Sequence, residues 1–339
     1  MRRRYLLAAD VGGTKVALAL AAAGSARPEI VVHRVYACRE FSGLQPILAG
    51  FLQQQEVARH RGAIAAACFS VAGPVAANSA TLTNLDWKLA GNALAAELRL
   101  PEVRLMNDFE AAGLGITRLA PNELETLQAG SPVAQAARLI IGAGTGLGVG
   151  LLTWQDAGYA VHPSEAGHTD FAPVDELQDK LLAHLRRTYG RVSYERVVSG
   201  PGLMRIFSFL QETGAGLPSK QLRDADKTRQ DTPELIAEFA LAKLDPLAVR
   251  ALDLFVAVYG AFAGNMALAT LARGGVYIAG GIAPKIAPKL KEGAFMRAFN
   301  NKGRFSELLA TMPVHVVMNP QVGLYGALLE AAHMSAVTK

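Results

Sequence analysis

Two stretches of the chain join apolar strands through a glycine-rich bend, and they limit the fold more than any other feature. One is LLAADVGGTKVALAL at residues 6–20, and the other is LIIGAGTGLGVGLLTW at residues 139–154. Glycines at such a bend let a ligand approach the backbone, because no Cβ stands in the way. Exposed backbone N–H groups can bind anionic oxygens there, and a carboxylate at the strand end, Asp10, can hold a hydrated Mg²⁺. For either bend alone, an ordinary tight hairpin is the alternative.

Two other phosphate-binding motifs do not match. The sequence lacks the G-x-x-x-x-G-K-[ST] pattern of a P-loop. The Rossmann fingerprint needs G-x-G-x-x-G between a strand and a helix, but in GAGTGLGVGLLTW the third glycine is misplaced and a strand follows. A nicotinamide-dependent enzyme is therefore disfavoured.

The apolar pattern predicts a β-β-β-α-β-α-β-α order over the first 120 residues, opening with an antiparallel meander. A similar order begins again after residue 120, which indicates a diverged internal duplication. Residues 175–272 are predicted to be mostly helical, and the polar stretch 214–234 is predicted to be a surface loop. Strands at VYIAGGI and PVHVV and a helix at GLYGALLEAAHM complete the chain.

Composition excludes several classes of protein. With 339 residues, 51% apolar and 19% charged, the chain is expected to form about two globular domains. A net charge of +5 with scattered basic residues does not favour nucleic-acid binding. Cys38 and Cys68 lie far apart in apolar contexts, typical of reduced buried cysteines. Asp10 and Lys15 interrupt the first apolar run too early for a signal peptide, and no membrane-spanning helix is expected, so a cytoplasmic protein is predicted.

The order of motifs resembles that of the bacterial glucokinases, within the actin-like architecture shared by sugar kinases and Hsp70. The motifs are AADVGGTK, AGPV with LTNLDW, NDFEAAGLGI, GAGTGLGVG, PSEAGHTDFAP, ERVVSGPGL, VYIAGGIAP and NPQVGLYGA. The resemblance implies a two-lobed α/β actin-like ATPase (ribonuclease H-like) fold with the active site in the interlobe cleft. It places the small lobe at residues 1–112 with a C-terminal helix at 320–339, and the large lobe at residues 113–319.

By the same resemblance, Asp108 is the catalytic base that accepts the proton of the sugar 6-hydroxyl. Its alternative role is a helix N-cap, which aspartate favours. The residues that would bind the sugar are Asn107, Asp108, Glu165, His168 and Glu195. Carboxylates can accept from two neighbouring hydroxyls while an imidazole or amide completes the set. Taken alone, His168 reads more readily as a structural histidine than as a ligand.

ATP and Mg²⁺ are the implied cofactors, with Asp10 as the metal contact through water. The predicted nucleotide-binding residues lie in three glycine-containing segments: Ala9, Asp10, Val11, Gly12, Gly13, Thr14, Gly144, Thr145, Gly146, Gly280 and Gly281. Many bacterial glucokinases have Asn and later Arg just after the first loop, where this chain has Lys15 and Leu18, so the role of Lys15 stays open. The related repressor/open-reading-frame/kinase family has a zinc site of clustered cysteines, but no cysteine follows residue 68 here and no structural zinc is expected.

The resemblance implies ATP-dependent phosphorylation of D-glucose at O6, the first step of glycolysis, by a homodimer. The composition and charge described above predict a cytoplasmic protein that binds neither nucleic acid nor membranes. Another hexose, such as mannose, fructose or glucosamine, is the alternative substrate. A non-catalytic sugar- or nucleotide-binding protein of the same fold is the alternative class. A related transcriptional repressor is not expected, because only nine residues precede Asp10.

Overall fold

A computed structural model describes residues 3–82, 85–156, 158–229 and 231–337. Residues 83 and 84 of the LTNLDW motif and the last two residues of the predicted 320–339 helix lie outside these ranges. The strands are β1 Tyr5–Val11, β2 Lys15–Ala22, β3 Glu29–Ala37, β4 Ile64–Val71, β5 Val75–Ala76, β6 Ser79–Thr81, β7 Lys88–Ala90, β8 Val103–Asn107, β9 Leu124–Gln128, β10 Arg138–Ala143, β11 Leu147–Gln155, β12 Gly158–Ser164, β13 Gly275–Ala279 and β14 Val314–Val317. The helices are α1 Leu44–Gln53, α2 Gln55–Ala58, α3 Gly91–Leu98, α4 Asp108–Ile116, α5 Glu176–Tyr189, α6 Gly200–Glu212, α7 Lys220–Arg229, α8 Thr232–Leu241, α9 Pro246–Thr270, α10 Ala287–Lys291, α11 Ala294–Asn300, α12 Ser306–Ala310 and α13 Val322–Val337.

The chain divides into two compact units. The first unit contains Met1–Ala120, Tyr159–Pro163 and Asn319–Lys339, and the second contains Pro121–Gly158 and Ser164–Met318. The lobes expected from the sequence, 1–112 with 320–339 and 113–319, stay a prediction.

The first unit is built on a five-stranded sheet of order β3-β2-β1-β4-β8. Strands β1, β2 and β3 pair antiparallel, so the predicted meander is confirmed. Strand β4 pairs parallel with β1, and β8 pairs parallel with β4. The carboxyl ends of these three parallel strands therefore lie along one edge, where polar side chains can gather.

Side chains of β1 alternate between two cores. Leu7 and Val11 pack with buried residues of α1 and α3 on one face. Leu6 and Ala8 pack with α13 on the other face, where alanines on several strands let the helix lie close. Because the period of a strand is two residues, Asp10 points to the α13 face. A Cβ added at Gly323, in the first turn of α13, would lie 3.3 Å from Asp10 Oδ2.

The second unit contains a sheet whose strands β11-β10-β13-β14 repeat the order β2-β1-β4-β8 of the first unit, with β9 antiparallel beyond β14. The pairing types also repeat, since β10–β11 is antiparallel while β10–β13 and β13–β14 are parallel. This shared topology supports the duplication inferred from the two glycine motifs.

Helix α9 forms the centre of the second unit's core, and its buried residues include Phe255, Tyr259 and Phe262. By length and composition it could cross a membrane, but 78% of its most apolar 18-residue window is buried within the protein. That burial is expected of a core helix, and it explains why the helix is apolar on most sides.

The prediction of a surface loop at residues 214–234 is wrong. Helix α7 occupies Lys220–Arg229 and α8 begins at Thr232. The Ser219 hydroxyl accepts a hydrogen bond from the Leu222 N–H at 3.2 Å, and Leu222 is buried. A helix with one buried apolar residue has no 3.6-residue apolar period, so the sequence pattern did not reveal it.

Candidate active site

Strand β8 ends at Asn107 and helix α4 begins at Asp108, so both predicted residues lie where the chain turns from strand to helix. Asn107 Oδ1 accepts hydrogen bonds from the N–H groups of Phe109 (2.9 Å) and Glu110 (3.3 Å). Asn107 is therefore the N-cap, and the alternative reading of Asp108 as the cap residue is wrong. The Asn107 Nδ2 donates to the carbonyl of Gly73 at 3.0 Å, which ties the loop after β4 to this corner.

The environment of Asp108 favours its neutral form. Burial raises the pKa of Asp108, the negative charge of Asp10 raises it further, and a hydrogen bond from the Phe109 N–H lowers it; the result is a pKa of about 6. Burial also raises the pKa of Asp10, against a hydrogen bond from Ser70 that lowers it. The Ser70 hydroxyl donates to Asp10 Oδ1 at 3.1 Å. The first unit thus presents two interacting carboxylates, one of which titrates close to neutrality.

The first glycine bend joins β1 to β2 beside these carboxylates in sequence. The Gly12 N–H donates to the Lys15 carbonyl at 3.0 Å, and the Cys38 N–H donates to the Thr14 carbonyl at 2.9 Å. Thr14 and Lys15 are exposed, while Gly12 and Gly13 are half-buried. The bend is fixed at both ends by backbone hydrogen bonds, as a site built from backbone N–H groups requires.

The second glycine bend joins β10 to β11 and contacts two other segments of the second unit. The Gly144 N–H donates to the Gly146 carbonyl, and the Gly200 N–H donates to the Gly144 carbonyl, both at 2.8 Å. The Ile282 N–H donates to the carbonyl of Ala143 at 3.2 Å. A Cβ at Gly280 would lie 2.5 Å from that same oxygen, and its φ of 82° also suits glycine. The predicted adenosine segment, residues 280–281, therefore packs against the base of the second bend.

The remaining predicted sugar-binding residues meet in the second unit. His168 Nε2 lies 3.8 Å from Glu165 Oε2, and His168 Nδ1 lies 3.9 Å from Glu195 Oε1. The side chains of Glu165, His168 and Glu195 are 89%, 54% and 32% exposed. The His168 imidazole is half-exposed between two carboxylates, and the three side chains together can donate to and accept from neighbouring hydroxyls.

Backbone pairing brings these residues together. The Tyr194 N–H donates to the Thr169 carbonyl, and the Phe171 N–H donates to the Val192 carbonyl, both at 2.9 Å. The short helical turns Ala166–His168 and Tyr194–Arg196 thus lie side by side. Within the four described ranges, no group of three or more His, Cys, Asp or Glu side chains is arranged to hold a metal ion.

Comparison with known proteins decides the family. The model of the glucokinase family matches residues 7–334. The glucokinase of Synechocystis sp. is 44% identical over 345 aligned residues, which cover 96% of this chain and 97% of that protein. The chain belongs to the glucokinase family.

Solved structures agree with this assignment. The crystal structure of a glucokinase from an Antarctic psychrotroph is 28% identical and superposes with a TM-score of 0.84, covering 97% of this chain and 99% of the other. A ROK-family glucokinase from Streptomyces griseus, solved with glucose and AMPPNP, is 20% identical with a TM-score of 0.63 and covers 97% and 99% of the two chains. The predicted fold class is confirmed: the chain has the mixed α/β, actin-like ATPase fold of these sugar kinases.

Sequence reasoning missed two residues that contact the predicted site residues. The Leu147 N–H donates to Glu195 Oε2 at 3.0 Å, so the second bend is bonded to a predicted sugar-binding residue. The hydroxyl of the buried Tyr259 accepts from the N–H of Ala143 at 3.3 Å, where β10 ends and the bend begins. Neither contact has a local sequence signal, because one uses a backbone atom and the other a helix 116 residues away.

Proposed function

We propose that the protein transfers the γ-phosphoryl group of ATP to O6 of D-glucose and so makes glucose 6-phosphate, the first step of glycolysis. Membership of the glucokinase family supports the reaction. The glucose and AMPPNP bound by the Streptomyces griseus protein support the two substrates. The observation that carries the proposal is the half-buried carboxylate of Asp108, whose pKa of about 6 suits a base acting near neutral pH.

In this reaction Asp108 accepts the proton of the sugar 6-hydroxyl while that oxygen attacks the γ-phosphorus in line; the bond from the γ-phosphorus to the bridging oxygen breaks, and ADP leaves. The N–H of Phe109 holds the carboxylate through Oδ1 at 3.0 Å, which fixes its orientation. Asn107 contributes to the sugar site through its amide, since one Nδ2 hydrogen is used by the Gly73 carbonyl and the other can meet a sugar hydroxyl.

Glu165, His168 and Glu195 bind the other hydroxyls of the ring. Each carboxylate can accept from hydroxyl donors, and His168 between them can donate or accept according to its tautomer. A sugar with one hydroxyl inverted leaves at least one of these groups without a partner, which is the physical basis for rejecting epimers.

The two glycine bends bind the phosphates of ATP, and residues 280–281 contact its adenosine. Asp10 fits a Mg²⁺ ion held through water. One oxygen of its half-buried carboxylate accepts from Ser70, and its negative charge also raises the pKa of Asp108. When bound, Mg²⁺ supplies positive charge to the phosphate oxygens.

We further propose that the enzyme works in the cytoplasm as a homodimer. Both cysteines are free and buried, which suits a reducing compartment. Sedimentation at several protein concentrations tests the dimer, and a monomer at all concentrations would contradict it.

The deciding experiment is a coupled assay of ADP release with ATP, Mg²⁺ and a panel of hexoses that includes glucose, mannose, fructose and glucosamine. Asp108→Asn removes the base but keeps the size of the side chain, while Asp179→Asn changes an exposed carboxylate on α5 as the matched control. Turnover of glucose that only Asp108→Asn abolishes, with glucose binding retained, supports the proposal. Turnover of another hexose alone contradicts the substrate, and turnover of none favours a binding protein.

A further inference from the structure

The backbone of Leu147 touches both segments that carry the proposed sugar-binding residues. Its N–H donates to Glu195 Oε2 at 3.0 Å. A Cβ added at Gly167 would lie 2.0 Å from its carbonyl oxygen, so the turn between Glu165 and His168 packs directly on that carbonyl. Leu147 also closes the second glycine bend, since it pairs with Ala143 across the β10–β11 hairpin.

A second hydrogen bond joins the other end of the same bend to the segment that follows Glu195. The Gly200 N–H donates to the carbonyl of Gly144 at 2.8 Å. The Ser199 hydroxyl donates to the backbone carbonyl of Glu195 at 2.7 Å and accepts from the Gly202 N–H at 3.1 Å. The segment from Glu195 to Gly202 is therefore bonded to both ends of the bend, all within the second unit.

We infer that Glu195 is a positioning residue for the second phosphate-binding bend as well as a sugar ligand, and that this hydrogen bond couples sugar binding to nucleotide binding. The inference rests on the proposed function. One carboxylate oxygen, Oε2, holds the bend through Leu147, and the other, Oε1, faces His168 at 3.9 Å. A bend that is already held loses less conformational freedom when phosphates bind, so the acceptor on Glu195 strengthens nucleotide binding.

The first test measures the affinity for AMPPNP with Mg²⁺ and no sugar, by isothermal titration calorimetry. Glu195→Ala removes the acceptor and is expected to weaken binding by about five-fold or more, the lower end of typical couplings between sites. Glu195→Gln keeps a side-chain oxygen that accepts from the Leu147 N–H, so its nucleotide affinity should match that of the native protein. Glu165→Ala is the matched control, because it removes a sugar-binding carboxylate that is 89% exposed.

The second test examines the opposite direction, from the bend to the sugar-binding residue. It measures glucose affinity without nucleotide. A Cβ at Gly146 would lie 2.6 Å from Glu195 Oε2, whereas a Cβ at Gly144 would have no atom within 4 Å. Gly146→Ala therefore displaces the carboxylate and should weaken glucose binding by about five-fold. Gly144→Ala, a change of the same size in the same bend, should leave glucose affinity unchanged.

Failure of this inference differs from failure of the proposed function. Suppose that the native protein binds both AMPPNP and glucose. If Glu195→Ala keeps the native affinity for AMPPNP to within about two-fold, and Gly146→Ala keeps the native affinity for glucose to within the same limit, Glu195 does not position the bend. Equal nucleotide affinities for Glu195→Ala and Glu195→Gln, both weaker than native, would also overturn it. A native protein that binds neither ligand contradicts the proposed function instead.

Discussion

The charge of Asp10 raises the pKa of Asp108, which burial has already raised, to about 6. The two carboxylates come from different elements, since Asp10 lies on β1 and Asp108 begins α4. Ser70 on β4 holds Asp10 by a hydrogen bond of 3.1 Å, opposite it in the parallel pair of strands. The sheet therefore sets the electrostatic environment of the proposed base, and the pH dependence of the reaction rate measures that environment.

We predict that kcat/KM for glucose falls on the acid side with an apparent pKa of about 6, because protonated Asp108 cannot accept the proton of the 6-hydroxyl. The loss should approach about ten-fold per pH unit below that value. A pH series of initial rates in a buffer of constant ionic strength measures it. An acid limb below pH 4.5 would mean that another group, or an unshifted carboxylate, controls the rate.

Asp108→Asn should stabilise the protein at alkaline pH. The folded-state pKa of about 6 lies above the ordinary value of 3.8, so the native state holds the proton more tightly than the unfolded chain. Stability therefore falls as pH rises from 3.8 to 6, and the penalty is fully present above pH 6. Asparagine removes that penalty and can still accept from the Phe109 N–H. We expect a gain of about 1–2 kcal/mol at pH 8, discounted for partial exposure.

Urea unfolding at pH 8 and pH 4 measures this gain for Asp108→Asn. The difference from native should shrink toward zero at the lower pH, where Asp108 is protonated in the folded state. Asp179→Asn, in an exposed position on α5, should show no such pH-dependent gain. An Asp108→Asn variant less stable than native at pH 8 would contradict the raised pKa.

Local sequence patterns were sufficient to predict the strands and bends that carry the proposed site. The β1–β2 and β10–β11 hairpins are visible because apolar strands flank glycines on both sides. Asp10 and Asn107 stand out because a polar residue ends a buried run, and the carboxyl ends of parallel strands share an edge. In each case the signal lies within about ten neighbouring residues.

Other features depend on residues far apart in the chain, and no local pattern reports them. The bond from the Leu147 N–H to Glu195 spans 48 positions and uses a backbone donor that every residue except proline has. Helix α7 is polar on nearly all sides and is held at its start by Ser219, whose N–H donates to the buried Asp245 at 2.6 Å. Strands β5 to β7 have two or three residues each, too few for an alternating pattern.

Tyr259→Phe should destabilise the end of β10 that leads into the second glycine bend. The Ala143 N–H donates to the Tyr259 hydroxyl at 3.3 Å, and the hydroxyl donates to the Ile141 carbonyl at 3.4 Å. Phenylalanine leaves both buried backbone groups without this partner, at a cost of about 1–3 kcal/mol. Because Ala143 precedes the bend, affinity for AMPPNP with Mg²⁺ should also fall.

Calorimetric titration and urea unfolding together measure the effect of Tyr259→Phe. Tyr36→Phe is the control, since its hydroxyl bonds the Gln54 side chain in the first unit at 2.8 Å. The control should cost less than about 1 kcal/mol and leave nucleotide affinity unchanged. Equal nucleotide affinities for native and Tyr259→Phe would show that the hydroxyl does not support the bend.

Asn107→Asp keeps the N-cap acceptor of α4 but removes the side-chain amide donor. A carboxylate at this position still accepts from the N–H groups of Phe109 and Glu110, so α4 keeps its N-cap. It no longer donates to the Gly73 carbonyl, and its charge raises the pKa of Asp108 further. We expect the acid limb of kcat/KM to move to higher pH, which rate measurements across pH detect. A limb at the native position would contradict a direct interaction between residues 107 and 108.

Gly326→Ala should be among the most damaging single substitutions in the first unit. A Cβ at Gly326 on α13 would lie 1.7 Å from the carbonyl oxygen of Ala111 on α4. The obstructing atom belongs to a helix backbone, so the two helices must separate, and we expect a loss of about 3 kcal/mol or more. Gly50→Ala is the control, because Gly50 is exposed on α1 and its Cβ would meet nothing within 4 Å. It should stabilise by about 0.5–1 kcal/mol.

Helix α4 begins with Asp108, so separating α13 from α4 also moves the proposed base. Gly326→Ala should therefore lower kcat at temperatures where circular dichroism shows the protein still folded. Urea midpoints give the stability of each variant relative to the native protein. A kcat that is lowered well below the melting temperature indicates that Asp108 has been displaced. A variant with the native urea midpoint would show that α4 and α13 can separate at no cost, against the close packing of Gly326 on Ala111.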